Sequence, residues 1–124
     1  MKRLLAFVLV SAVLLAFGSD SFAKTKPQPK SWTGVLCDSH CSAKMKGDMM
    51  KAQGHTKSCM TDEMCAASGY GMMSDGKYYK FDKNGNKLAA DWLKGTTRDK
   101  DMEVQVTGTL KGNKISVTDL KEKM

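Results

Sequence analysis

The stretch MEVQVTGTLKGNKISV, residues 102–117, decides the fold. Met102, Val104, Val106, Gly108 and Leu110 share one parity, and Glu103, Gln105, Thr107 and Thr109 share the other. Period-two alternation of this kind predicts a strand with one face buried and one wet. Gly112-Asn113 is a turn signal, and Ile115 and Val117 resume the alternation, so the segment reads as a hairpin.

Working upstream, Gly85 to Gly95 carries Leu88, Ala89, Trp92 and Leu93 at the spacing of one apolar helical stripe. Before it, Asp75-Gly76 separates Tyr70-Gly71-Met72-Met73 from Lys77-Tyr78-Tyr79-Lys80-Phe81, a second hairpin. Ser31 to Leu36 (SWTGVL) reads as an opening strand. The expected fold is therefore mainly β. It is a small five-stranded OB-like Greek-key barrel, with an insertion after strand 1 and a short helix between strands 3 and 4.

The insertion, residues 38–69, has a different composition. Residues 37–73 hold all four Cys, both His and seven of the ten Met. It is predicted to be partly helical. Ser42 would cap a helix through Gln53 carrying Met45, Met49 and Ala52 on one face, weakened by Gly47. Thr61 would cap a second short helix with Asp62 and Glu63 in its first turn and Gly69 past its end.

At the other end, Lys2 and Arg3 precede an apolar run from Leu4 to Phe17, and Ser21-Phe22-Ala23 supplies small residues for cleavage. Residues 1–23 are expected to be a secretory signal, whose apolar run is too short to span a bilayer comfortably. Residues 24–30 (KTKPQPK) would be a flexible leader and residues 31–124 a single domain, periplasmic or secreted, with no integral membrane segment after cleavage. Loss of Lys2, Arg3 and Asp20 lowers the formal charge from +7 to +6. The lysines are scattered rather than clustered, which argues for a solvated surface and against nucleic acid as a partner. A protein or envelope polymer remains open as a macromolecular partner.

Export makes the sulfur chemistry the central question. Cys37, Cys41, Cys59 and Cys65 are an even set in an oxidising compartment, so disulfides are expected. The pairings are Cys37–Cys41 with Cys59–Cys65, Cys37–Cys59 with Cys41–Cys65, or Cys37–Cys65 with Cys41–Cys59. The two long-range sets are favoured, each bridge contributing about 3 kcal/mol in the chain-entropy model. Thiolates, thioethers and imidazoles also select copper or zinc. The candidate ligands for such an ion are His40, His55, Met45, Met49, Met60 and Met64, with Cys37 and Cys41 where reduced. An oxidised Cys cannot ligate, so the readings compete. No nucleophile–base–orienter set can be assembled and C-x-x-C is absent, so no enzyme is expected.

Trp32-Thr33-Gly34, Asp38-Ser39-His40-Cys41, His55, Cys59, Cys65, Gly76-Lys77-Tyr78-Tyr79 and Val104-Gln105-Val106-Thr107-Gly108 together resemble a group of small secreted bacterial proteins. That group carries a W-T-G…D-S-x-C…H…C…C pattern ahead of an OB-like barrel and has no assigned function. The resemblance covers residues 31–120 and implies export and the fold, not an activity. It departs from the pattern at Cys37, usually not Cys there, and in the wide spacing of Cys59 and Cys65. It implies that Cys41, Cys59 and Cys65 are the shared set, with one common bridge and Cys37 pairing the leftover thiol. The Met enrichment would then be local to this chain.

Overall fold

The computed structural model describes residues 28–123. The expected signal, residues 1–23, and most of the expected leader lie outside them. Lys30, placed in the leader by sequence, is the first residue of a strand.

Five strands form one sheet: β1 (Lys30–Asp38), β2 (Tyr70–Ser74), β3 (Lys77–Phe81), β4 (Glu103–Lys111) and β5 (Lys114–Glu122). Their hydrogen bonding closes into a ring in the order β1-β2-β3-β5-β4. All pairs are antiparallel except β3 with β5, which is parallel and short. Both hairpins fall where alternation and turn residues put them. Five helices accompany the strands: α1 (Ser39–Met45), α2 (Met49–Gly54), α3 (Lys57–Thr61), α4 (Glu63–Ser68) and α5 (Lys83–Gly95). Helix and strand content is about equal, which corrects the expectation of a mainly β chain. The reason is local capping. Asp38, Asp48, Thr56 and Asp62 each accept from amides of the following turn, so the insertion folds as four short helices. The expected long helix to Gln53 breaks because Lys46 and Gly47 both take positive φ, 49° and 79°. Asp62, rather than Thr61, caps α4.

β1 organises the molecule because it has two partners. Its first part, Lys30–Val35, pairs with β4, and its last part, Val35–Asp38, pairs with β2. Alternation then sorts its side chains. Leu36 joins Met72, Phe81, Met102, Val104, Val106, Ile115 and Val117 inside the ring, where Ala89 and Leu93 of α5 also pack. Val35 and Cys37 face the other way, forming a second core with Met73, Met45 and Ala52. The Val35–Asp38 end of β1 is thus buried on both faces, inside by the ring core and outside by the insertion. Asp82 ties α5 in place, since its Oδ1 accepts from both Gly85 N and Val117 N. Among the described residues no helix is long and apolar enough to cross a membrane.

Where β1 passes from one partner to the other, the backbones approach closely. A Cβ at Gly34 would lie 2.5 Å from the Met73 carbonyl oxygen. Gly34→Ala is therefore expected to destabilise the domain by about 1–3 kcal/mol, the usual cost of overpacking. Urea unfolding followed by fluorescence measures it, and an unchanged midpoint would contradict this account of the strand crossing.

Candidate metal centre

The insertion leaves and rejoins the sheet at one place. The Ser39 amide donates to Gly69 O at 2.8 Å, and the His40 amide donates to Ser68 Oγ at 3.1 Å. Its far side is held to the segment before β4, where Lys57 N donates to Asp99 O and Asp101 N donates to Gln53 O. Within this frame three cysteines hold equivalent positions. Cys41, Cys59 and Cys65 are each the third residue of a short helix, α1, α3 and α4. The Cys41 amide donates to Asp38 Oδ2 at 2.8 Å, and the Cys59 amide donates to Thr56 Oγ1 at 3.2 Å. The caps that start the helices therefore also set where the sulfurs go.

The sulfurs converge. Cys41 Sγ lies 3.8 Å from Cys65 Sγ and 3.9 Å from Cys59 Sγ, and all three lie within 4.8 Å of one another. Asp38, Cys41 and His55 form a second such group, so Cys41 belongs to both. His55 Nε2 is 2.7 Å from Asp38 Oδ1. Asp38 and Cys65 are buried, while Cys41 and Cys59 keep partial access to solvent.

The electrostatics are those of a site short of positive charge. Burial pushes the Cys41 thiol up, and the hydrogen bond with Cys65 and the charge of Asp38 push it further. Cys65 is raised as well, chiefly by burial. Burial would also raise the Asp38 carboxyl. The hydrogen bonds from His55 and from the Cys41 amide, with the attraction of His55, outweigh that effect and hold it at about 2. A fixed carboxylate beside thiols that resist ionisation is relieved by a cation, which displaces the thiol protons.

The residues singled out by sequence separate clearly. Cys41 and His55 come together. Cys59 and Cys65, expected only as bridge partners, complete the cluster, and Asp38 was missed although it opens the Asp38-x-x-Cys41 capping pattern. His40 belongs to neither group of converging ligand atoms. Met45 and Met49 pack with Cys37 in the second core, Met60 lies in the ring core, and Met64 is exposed on α4. Met45, Met49 and Met60 fill or flank cores rather than surround one point, and Met64 belongs to neither core. No two sulfurs stand at the bonding distance of about 2.05 Å, and all four cysteines are free in this structure, which holds none of the expected bridges. Cys37 is kept out of the cluster because strand alternation turns it into the second core.

Cys37 gives a pH signature of its own. Burial first, and the charge of Asp38 second, raise its thiol from 9.0 to about 12. The folded state thus holds this proton more tightly than the unfolded chain does. That contribution is complete below pH 9 and lost as pH rises toward 12. Relative to Cys37→Val, the protein with its insertion folded over Cys37 should lose up to about 4 kcal/mol across that window. Denaturation at several alkaline pH values measures this, and parallel stability curves for the two proteins would refute it.

No family model, curated protein or solved structure matches this chain, so the centre is interpreted from its own residues.

Proposed function

We propose that this is an exported, non-enzymatic metal-binding domain in which Cys41, Cys59, Cys65 and His55 hold one soft cation, Zn(II) or Cu(I). The observation that carries the reading is the sulfur spacing. Metal–sulfur bonds of about 2.3 Å in a tetrahedron place neighbouring sulfurs about 3.8 Å apart, and the separations here are 3.8 and 3.9 Å. That is far outside a disulfide and close to the edge of a thiolate coordination shell. The three sulfurs come from three helices whose caps fix them independently, so the convergence is not a by-product of one helical turn.

His55, which converges with Cys41 and Asp38 rather than with all three sulfurs, would add an imidazole to the three thiolates, and four ligands would leave no open position for substrate, which supports binding or structural use rather than catalysis. The ring order, the parallel β3–β5 pair and the placement of α5 between β3 and β4 support an OB-like barrel as the platform. The signal-like residues 1–23 support a periplasmic or secreted location. Partial burial of the thiols and their occupation by metal would slow oxidation there.

Metal content and free-thiol count, measured together on protein recovered from its native compartment, test the reading. One metal ion per chain, lost on Cys59→Ser, is the expected result. Two disulfides and no metal after exposure of the reduced protein to Zn(II) and Cu(I) would overturn it. The chain would then be a bridge-stapled interaction module for a protein or envelope polymer.

A further inference from the structure

One carboxylate touches two members of the ligand set. Asp38 ends β1 and is fully buried. Its Oδ1 meets His55 Nε2 at 2.7 Å and its Oδ2 accepts from the Cys41 amide at 2.8 Å. Both oxygens are therefore committed, although Asp38 stands within 4.8 Å of Cys41 and His55. Its geometry suits holding ligands better than becoming one. Metal-ligating imidazoles commonly donate their other ring N–H to a carboxylate, which fixes both tautomer and orientation. Here Nε2 pairs with Asp38 Oδ1, so Nδ1, which has no hydrogen bond among the described residues, is the nitrogen left for a metal.

We propose that Asp38 is a positioning residue that sets His55 as a fourth, nitrogen ligand and so tunes the centre for a four-coordinate Zn(II)-class ion over Cu(I). The inference rests on the metal reading above and adds the identity of the metal. Cu(I) is satisfied by two or three thiolates, whereas closed Zn(II) sites almost always take four ligands. A part-buried imidazole held against a carboxylate serves best the ion that takes a fourth ligand. The strand end thus serves twice. It caps the helix that presents Cys41, and it orients the residue that distinguishes one metal from another.

The test is titration of the reduced, intact protein with Co(II), displacement by Zn(II), and separate Cu(I) titration against a competing chelator. Asp38→Asn keeps a capping oxygen for the Cys41 amide but removes the charge facing His55. It should weaken Zn(II) binding about 10–100-fold, the usual effect of losing an outer-shell partner. His55→Ala should weaken it at least as much, and the double variant no more than His55→Ala alone. Cu(I) affinity should stay within about threefold in all of them, because thiolates dominate its binding. The Co(II) ligand-field bands should shift in both single variants while sulfur-to-metal charge transfer persists. Should Asp38→Asn fail to fold, Asp38→Ser retains the cap without reaching His55 and takes its place. Unchanged Zn(II) affinity and Co(II) bands in His55→Ala would overturn the inference. So would a loss in His55→Ala that the Asp38 variants do not share. A wild-type protein that takes up neither Co(II) nor Zn(II) would overturn the metal reading itself, and that result is visible before any variant is compared.

Discussion

Stripping the metal should collapse residues 39–68 while leaving the ring of strands folded. The four helices of the insertion are 5 to 7 residues long, well below the about 12–15 residues at which isolated helices become even marginal in water. Each contributes essentially one apolar anchor: Met45 from α1, Ala52 from α2, Met60 from α3 and Cys65 from α4. One buried side chain per helix does not offset the cost of ordering its backbone, about 1–2 kcal/mol per residue. Structural zinc in small peptides supplies about 10–16 kcal/mol of apparent binding free energy, and where no site preexists that free energy is folding free energy. The ring, by contrast, has its own core from Leu36 to Val117 and its own hydrogen-bond closure. Chelation under reducing conditions should therefore remove most of the helical circular dichroism from α1–α4. Amide exchange protection should vanish across residues 39–68 and persist in β4 and β5. Unchanged protection in the insertion after complete metal removal would show that the helices stand without an ion.

A single sulfur should separate the cluster from the core beside it. Cys41 is the member shared by both groups of converging ligands, with Cys59 and Cys65 on one side and His55 on the other. Cys41→Ser removes a thiolate from the metal itself. Its effect on affinity should exceed the 10–100-fold typical of outer-shell substitutions. Cys37→Ser makes the same chemical change four residues earlier, in a side chain that is fully buried among Val35, Met45, Ala52 and Met73. There the new hydroxyl meets an apolar wall, so stability should fall by about 1–3 kcal/mol while metal stoichiometry stays at one per chain. Metal analysis and thermal unfolding of the two variants give opposite patterns if the assignment is right. Equal metal loss in both would mean that Cys37 belongs to the site and that the two cores are not distinct in function.

Much of the strand framework was legible because its information is local. Alternation in residues 102–117, the Asp75-Gly76 and Gly112-Asn113 turns and the stripe Leu88, Ala89, Trp92 and Leu93 each specify an element within a few residues. The insertion was harder. Helices of five to seven residues end before a 3.6-residue period can repeat, so caps carry nearly all the signal, and two caps were misplaced. Ser42 was taken as the start of a helix that Asp38 begins, and Thr61 as the cap that Asp62 provides. The cysteines were grouped by count and compartment, which favours bridges whether or not the sulfurs can meet.

By itself the sequence determined that two hairpins, a lone amphipathic helix and a Cys/His/Met-rich insertion follow one opening strand. Only the tertiary structure decided which sulfurs belong together. Parity along β1 sends Cys37 into an apolar core, while three separate helix starts bring Cys41, Cys59 and Cys65 together. The end of the same strand places Asp38 against His55. Strand parity and capping are short-range rules, but the point where their products meet depends on closure of the whole ring, and no spacing in the chain encodes that distance.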